Sequence, residues 1–286
     1  MINWFLEKNF KYYEVNFDEK NYKIFLKNNI NLPPIYPRLL VVSYQSNKAT
    51  SNLLNLCIKS IQKYTNSGYE LWIIDNNSPE NNIKWLNEIK NINLIYIRTD
   101  PKDGPSYANA LALEIAIKYI DPDTKYVFSF HEDTVVCKEG WLDYMISKLT
   151  EKVKAAGFRL TKARIPDGVL HVCGYVIDFQ IFKQLKLSYL PELPDFDVGD
   201  KAIYELKKNG YDIFYTPNTF DNPETVNLLP ANDPLYKLNT TRAFNDNNEV
   251  IYMHLGRGVR KAIGNYSDKN KCTYKDWNNY IRKYLL

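Results

Sequence analysis

The sequence has few of the features that are typical of secreted proteins, zinc-binding proteins or membrane-spanning proteins. Its 286 residues include four cysteines, at positions 57, 137, 173 and 272, and no two of them form a CxxC pair. This spacing argues against a zinc site and a disulfide framework, and it fits a reducing compartment. No apolar run approaches the roughly 18 residues that a membrane span needs, and the first ten residues lack the regions of a secretory signal. We therefore expect a cytoplasmic protein.

A concentrated block of basic residues is also missing. The 37 lysines and arginines are interspersed with 33 acidic residues, and the formal net charge is only +4. We therefore expect no nucleic-acid partner. Residues 274–286 (YKDWNNYIRKYLL) alone combine basic with aromatic side chains. This tail would suit an anionic membrane surface, which would put the protein at the inner face of the membrane. We favour the commoner alternative, a closing helix packed on its own domain.

What the sequence does have is a regular alternation of apolar and amphipathic segments. The predicted strands are short apolar runs, at residues 38–44, 71–74, 94–97 and 126–130. The predicted helices between them include residues 50–64 and 106–120. Ser78 and Pro79 favour a further helix start, with Ser78 as the cap and Pro79 at the first helical position. This order predicts an α/β fold with a mostly parallel central sheet and flanking helices.

Breaks in this pattern divide the chain. Prolines in LPPIYP end a polar and aromatic first segment. After residue 140 the alternation loosens, and residues 217–248 show little periodicity, which in a compact domain indicates a functional or mobile loop. The predicted units are an N-terminal extension (1–37), a main domain (38–260, with a nucleotide-binding half 38–136 and an acceptor half 137–260) and a C-terminal helical tail (261–286).

Acidic residues follow two of the predicted strands. His131, Glu132 and Asp133 come directly after YVFSF, and Asp75 follows LWII. Mg²⁺ and Mn²⁺ typically bind one or two carboxylates together with phosphate oxygens. Three ionisable residues at a strand end are costly unless they face a site, so the pattern predicts a nucleotide-and-metal site. Asp75 by itself equally suits a turn, since Asp and Asn are good turn formers.

A second group of carboxylates lies in PDFDVGDKAIYELKKNGY. Helix capping and the helix dipole account for one or two of Asp195, Asp197 and Asp200, which leaves one as a candidate general base. His254 lies in IYMHLGRG. A lone histidine is more often a buried, hydrogen-bonded residue, but here the next basic residue, Arg257, lies between two glycines in a turn that could approach phosphate. His171 has no such neighbours and receives no role.

Taken in order, these motifs resemble the nucleotide-sugar glycosyltransferases of the GT-A (Rossmann-like) fold, especially the family-2-like group. RLLVVSYQS is similar to the family's opening strand, LWIIDNNSPE to its second strand and turn, and DGPSYANALALEIA to the helix beside the donor. By this resemblance Asp75 contacts the nucleotide base. The donor-binding residues that it implies are Ser43, Tyr44, Asp75, Asn76, Gly104, His131 and Glu132.

The resemblance also implies a metal and a base. YVFSFHEDTVVCKEGWL is similar to the metal-binding strand followed by GWL. Asp133 then binds Mn²⁺ or Mg²⁺ with Glu132 as its partner, and His254 adds a metal or phosphate contact. His131 stands where the family's Asp-x-Asp motif has its first carboxylate. Asp197 is the best match for the acidic base of inverting members, with Asp200 as the competitor.

The implied function is transfer of a sugar from a nucleotide-diphosphate sugar to a glycan, lipid-linked or protein acceptor. Residues 217–248 would form a lid or acceptor wall. Two alternatives stay open. A sugar-phosphate nucleotidyltransferase would need a glycine-rich loop after the first strand, but SYQSNKATSN contains no glycine. A non-catalytic protein of the same fold that binds nucleotide sugars stays open because the metal motif is imperfect.

Overall fold

The computed structural model describes residues 4–160, 166–268 and 270–286, which form twelve strands and nine α-helices. The strands are β1 Lys11–Phe17, β2 Lys20–Lys27, β3 Arg38–Ser43, β4 Glu70–Asn76, β5 Asn93–Ile97, β6 Tyr126–His131, β7 Thr134–Val136, β8 Val153–Arg159, β9 Leu170–Asp178, β10 Asp212–Thr216, β11 Thr241–Phe244 and β12 Val250–His254. The helices are α1 Trp4–Asn9, α2 Lys48–Tyr64, α3 Glu80–Ile83, α4 Pro105–Tyr119, α5 Trp141–Ser147, α6 Phe179–Gln184, α7 Asp200–Lys208, α8 Gly258–Ala262 and α9 Tyr274–Tyr284.

Nine strands form one sheet in the order β1-β2-β5-β4-β3-β6-β9-β8-β10. The four central strands, β5, β4, β3 and β6, are mutually parallel. They are the four strands predicted from apolar runs. A smaller sheet joins β11, β12 and β7. The predicted α/β architecture, with a mostly parallel central sheet and flanking helices, is confirmed.

The central sheet is covered on both faces because alternate side chains of a strand point in opposite directions. In β3, Leu39 and Val41 pack in one apolar cluster with residues of α2, whereas Leu40 and Val42 pack in another with residues of α4. All six residues of β3 are buried. Burying each such side chain contributes roughly 1.5–3 kcal/mol. This double coverage explains why β3 reads as a continuous apolar run.

The N-terminal segment adds two strands that the sequence analysis did not predict. β1 and β2 pair antiparallel, and β2 pairs antiparallel with β5, so the hairpin extends the main sheet. β1 is the edge strand, and its first four side chains are exposed, which hides the strand pattern. The following LPPIYP segment is held by Arg38, whose buried guanidinium donates to the carbonyls of Leu32 and Tyr36 and lies 3.1 Å from Glu70.

The C-terminal tail closes the domain, as the favoured alternative predicted. Trp277 and Ile281, one helical turn apart on α9, are fully buried in an apolar cluster with Leu53 and Leu56 of α2. Among the described helices, none has the length and apolar character needed to cross a bilayer. Residues 217–248 are less irregular than predicted, because they contain two short 3₁₀ turns and β11.

Candidate active site

A cavity of about 1460 Å³ opens at the carboxyl ends of β3, β4 and β6. This edge is where ligands usually bind in open α/β sheets. The start of α4, the start of α7 and the segment that follows β12 complete the walls. Of the predicted site residues, all but Asp75 line the cavity: Ser43, Tyr44, Asn76, Gly104, His131, Glu132, Asp133, Asp197, Asp200 and His254.

Asp75 lies behind the cavity wall. It is fully buried, and its carboxylate accepts hydrogen bonds from the backbone N–H of Ser78 (2.9 Å), the hydroxyl of Ser78 (2.6 Å) and the hydroxyl of Ser43 (3.3 Å). Burial raises the pKa of Asp75 to about 6, although the Ser78 hydrogen bonds and the charge of Arg98 lower it. Asp75 therefore fixes the turn after β4, and its contact with a base stays a prediction.

The Ser78 hydroxyl is committed to this turn and does not cap a helix. It donates to Asp75 and accepts from the backbone N–H of Gln45 at 2.6 Å. The predicted helix start at Ser78 and Pro79 is therefore wrong by one residue. α3 begins at Glu80, with Pro79 in the cap position and no side-chain cap bond. The Asp75–Ser78 pair joins the ends of β3 and β4.

Asp133 and His254 form the centre of the site. Nε2 of His254 lies 3.2 Å from Oδ1 of Asp133, and the backbone N–H of Gly258 donates to Oδ2 at 2.8 Å. Burial raises the pKa of Asp133, but His254, His131 and the Gly258 N–H outweigh it and hold the pKa well below its usual value. A β-carbon on Gly258 would lie 2.4 Å from that of Asp133, so only glycine fits here.

His131 ends β6 beside this pair. Its ring centroid is 5.9 Å from that of His254, and its Nε2 lies 3.0 Å from the side-chain nitrogen of Asn109 on α4. Burial lowers the pKa of His131 to about 4, and the charge of His254 adds to this, whereas Asp133 and Asp197 raise it. The imidazole is therefore neutral at physiological pH and available as a hydrogen-bonding or metal-binding group.

All three histidines of the chain meet in this cavity. The ring of His171, on β9, lies 5.1 Å from that of His254 and 5.9 Å from that of His131. The sequence analysis gave His171 no role, because its neighbours along the chain carry no recognisable motif. Only the antiparallel pairing of β9 with β6 brings it to the site.

Glu132 lies next to the Asp133–His254 pair, and its carboxylate makes different contacts from that of Asp133. Its Oε1 accepts from the backbone N–H of Tyr44 at 3.1 Å, which ties the end of β6 to the loop after β3. Its Oε2 is buried and has no hydrogen-bond partner among the described residues. Burial raises the pKa of Glu132 well above its usual value, and the nearby charges of Asp133 and Asp75 raise it further.

The two candidate bases share one turn at the start of α7. Asp200 is 2% exposed, and its Oδ2 accepts from the backbone N–H of Asp197 at 3.0 Å. Asp197 is only half-buried, and its Oδ1 accepts from the backbone N–H of Val198. Both line the cavity, whereas the exposed Asp195 does not. Asp200 therefore shapes the turn, and Asp197 offers the more accessible carboxylate.

One wall of the cavity is basic. It is formed by the segment after β12 and contributes Arg257, Arg260, Lys261 and Lys271. The guanidinium of Arg257 lies 4.8 Å from the ring centroid of Tyr266, and Nζ of Lys261 donates to the Leu255 carbonyl at 3.0 Å. The sequence analysis identified only Arg257 here. Such a wall suits a diphosphate.

The cavity residues fit a divalent cation. Asp133, His131 and His254 each offer one ligand atom, and these atoms all lie within 4.8 Å of one another. A second group with the same property consists of His171, Cys173 and His254. Carboxylate oxygen and imidazole nitrogen are both common metal ligands. The predicted pair Asp133 and His254 belongs to the first group.

Part of the chain matches a known family. The sequence model of the family described as "Glycosyl transferase family 2" matches residues 39–175, from β3 through most of β9. This segment, just under half of the chain, is family-2-like in sequence. The resemblance predicted from the motifs is thereby confirmed, and so is the GT-A fold. A comparison with curated proteins gives no significant match.

Three solved structures are similar to this chain at low sequence identity. Galactosyltransferase LgtC, solved with donor and acceptor sugar analogues, has a TM-score of 0.51 and 13% identity, covering 87% of this chain and 96% of its own. Drosophila beta-1,4-galactosyltransferase 7, solved with manganese, UDP-Gal and xylobiose, has a TM-score of 0.43 and 10% identity, covering 83% and 76%. A 4-diphosphocytidyl-2C-methyl-D-erythritol synthase from Anaerococcus prevotii has a TM-score of 0.44 and 15% identity, covering 64% and 89%.

Proposed function

We propose that this glycosyltransferase moves a hexose from a nucleotide-diphosphate sugar to an acceptor hydroxyl, with inversion and with the help of Mn²⁺ or Mg²⁺. The observation that carries the proposal is the meeting of the Asp133–His254 pair and Asp197 in one cavity, beside a basic wall. A metal side and a base side therefore face the same space.

Asp133 and His254 would hold the metal, with the carboxylate fixed by the N–H of Gly258. When bound, the ion supplies positive charge against the charge that develops on the departing diphosphate. Arg257 and Lys261 on the basic wall would orient the same diphosphate. The nucleoside would lie against Ser43, Tyr44, Asn76 and Gly104, and Asp75 would fix the turn behind them.

Asp197 would take the proton from the acceptor hydroxyl as that oxygen attacks the anomeric carbon. Its half-buried carboxylate is open to the cavity, whereas that of Asp200 is nearly enclosed. Asp200 would then act by holding the Asp197 backbone in place. This assignment keeps both residues in the mechanism and gives them different roles.

Residues 217–248 would form the acceptor wall. Phe220, Pro223, Val226 and Tyr236 from this segment line the cavity and give it an apolar side that excludes water. Water would otherwise hydrolyse the donor. Glycan, lipid-linked and protein acceptors, a role in polysaccharide biosynthesis and a cytoplasmic location stay predictions. Contact of the C-terminal tail with the inner face of a membrane also stays a prediction, and it would use the exposed side of α9.

The test begins with binding. A ligand that binds only the folded state raises its melting temperature, so nucleotide sugars are screened by thermal shift with and without Mn²⁺. A donor that binds is then assayed for release of nucleoside diphosphate and for sugar transfer. Binding without any turnover, with acceptors or with water, would support the non-catalytic alternative.

Two variants and a matched control locate the chemistry. Asp133→Ala and Asp197→Asn are expected to remove transfer. Asp195→Asn, two residues from the proposed base, is exposed and outside the cavity, so it should keep wild-type activity. If Asp133→Ala and Asp197→Asn both transfer sugar at the wild-type rate, the mechanism is wrong.

A further inference from the structure

We infer that His131 is a metal ligand in place of a second carboxylate, that Asn109 positions its ring, and that the site therefore prefers nitrogen-binding transition ions to Mg²⁺. The inference rests on the proposed function only in that a divalent ion enters this cavity. It concerns the ligand set and the class of ion, and neither follows from the Asp133–His254 pair alone.

The geometry supports three ligands. Oδ1 of Asp133 and Nε2 of His254 are 3.2 Å apart, and a ring nitrogen of His131 lies within 4.8 Å of both residues' ligand atoms. The other oxygen of Asp133 accepts from Gly258, so one carboxylate oxygen faces the two rings. Each of the three residues lines the cavity and is reachable by an ion.

Asn109 is placed to fix the His131 ring. Its side-chain nitrogen lies 3.0 Å from Nε2 of His131, and its side-chain oxygen is buried with no hydrogen-bond partner among the described residues. Turning the amide by half a rotation brings this oxygen to Nε2. It would then accept from Nε2–H and leave Nδ1 of His131 free to bind the ion. Metal-bound histidines usually donate their other N–H in this way.

The ligand chemistry sets the class of ion. Imidazole nitrogen suits transition metals, whereas Mg²⁺ is bound through carboxylates, phosphates and water. Glu132 lies outside both candidate ligand groups, so it does not add a second carboxylate to the ligand atoms already gathered here. Two nitrogens and one oxygen therefore predict tighter binding of Mn²⁺, Co²⁺ or Zn²⁺ than of Mg²⁺.

The second candidate group, His171, Cys173 and His254, is the main competitor because it shares His254. Two observations count against it. Nδ1 of His171 lies 3.2 Å from the backbone N–H of Cys173, which occupies that nitrogen as an acceptor. Cys173 is fully buried among apolar side chains and is not part of the cavity wall. His131 also has one ring nitrogen engaged, by Asn109, but all three members of its group line the cavity.

The experiment titrates the full-length protein with Mn²⁺ and with Mg²⁺ by calorimetry, with and without inorganic pyrophosphate as a diphosphate probe and with no sugar donor. Mn²⁺ should bind at least ~10-fold more tightly than Mg²⁺. His131→Asp places a second carboxylate in the site. Mg²⁺ should then bind more tightly, and the ratio of Mn²⁺ affinity to Mg²⁺ affinity should fall. Asn109→Leu should weaken Mn²⁺ binding by ~10-fold, and Asn109→Asp, which can still accept from the ring, should preserve it.

His171→Asn is the matched control, and Co²⁺ is the spectroscopic probe. Two results would support His131, Asp133 and His254 as the metal ligands. His171→Asn should bind Mn²⁺ as tightly as wild type, and the Co²⁺ spectrum of the wild-type protein should lack a thiolate charge-transfer band. A thiolate band that Cys173→Ser removes would overturn the ligand assignment in favour of the competing group. An unchanged Mn²⁺ to Mg²⁺ ratio in a folded His131→Asp protein, or no binding of either ion, would also overturn it. Sugar transfer is measured separately, so metal binding without transfer would count against the proposed function alone.

Discussion

Two acidic residues at the carboxyl ends of parallel strands that flank β3, Asp75 near the end of β4 and Asp133 after β6, have opposite surroundings. Asp75 is enclosed by hydroxyl and N–H donors from Ser43 and Ser78, and burial raises its pKa to about 6. Asp133 faces His254 across 3.2 Å, and its pKa lies well below the usual value despite burial. One carboxylate stabilises a turn, and the other is kept charged at the cavity.

The difference shows that an acidic strand end does not by itself identify a ligand. A buried carboxylate stays charged when a positive or metal-binding group lies beside it, and burial alone favours the neutral form. His254 comes from β12, far along the chain, and decides the role of Asp133. Asp75 accepts its hydrogen bonds from Ser78, three residues away, and from Ser43 on the adjacent strand, and both contacts stabilise the turn after β4.

The largest effect is expected for Asp133→Ala. Because this change removes the charged ligand at the cavity, kcat/KM for transfer should fall by ~10³-fold, equivalent to ~4 kcal/mol of transition-state stabilisation. Steady-state release of nucleoside diphosphate measures it. Asp123→Ala, at an exposed aspartate, should retain full activity. A comparable loss in Asp123→Ala would show that the assay reports stability and not chemistry.

Asp75→Ala should affect folding more than binding. It leaves the buried hydroxyls of Ser43 and Ser78 without their acceptor, so the free energy of unfolding should fall by about 3 kcal/mol. Urea denaturation measures this loss, and calorimetry below the unfolding transition should show Mn²⁺ affinity within twofold of wild type. A variant of wild-type stability that no longer binds nucleotide would instead place Asp75 at the base.

Asp75→Asn tests the raised pKa. The folded pKa of about 6 exceeds the ordinary pKa of 3.8 for an aspartate, so the unfolded state binds fewer protons between these values. Stability from this group is therefore fully present below about pH 4 and is lost as pH rises through 6. The stability of wild type relative to Asp75→Asn should fall by on the order of 1–3 kcal/mol from pH 4 to pH 7. If the free energies of unfolding of the two proteins change with pH in parallel, the raised pKa of Asp75 would be contradicted.

Of these substitutions, Gly258→Ala should have the smallest effect, and it should act through the position of the Asp133 carboxylate. The added β-carbon would lie 2.4 Å from that of Asp133, so the carboxylate must shift and Mn²⁺ affinity should fall by about 10-fold. Gly210→Ala is the control for a destabilising glycine replacement away from the cavity: its φ of +83° strains alanine, but the added β-carbon would meet nothing within 4 Å. Equal metal affinity in both variants would show that the position of Asp133 tolerates movement.

Much of the fold was predictable because the four central strands are buried on both faces and read as apolar runs. The edge strands β1 and β11 were not. β1 exposes its first four side chains, and β11 has only four residues, so neither carries a periodic pattern. The helix start at Ser78 was misplaced because the sequence cannot show that its hydroxyl is already used by Asp75. Local rules fail where a distant or neighbouring side chain competes for the same group.

The α/β class, the resemblance to glycosyltransferases and the candidate site residues that follow strands could all be read from the amino-acid sequence. Periodicity and residue type are local properties, so they are readable without coordinates. Which candidate residues lie together depends on the packing of the strands and helices. In the folded protein His171 and Asn109 lie beside His131, Asp133 lies opposite His254, and Asp75 does not line the cavity. Charge state and ligand sets depend on partners from separate strands and helices, and the pairing of those elements fixes them.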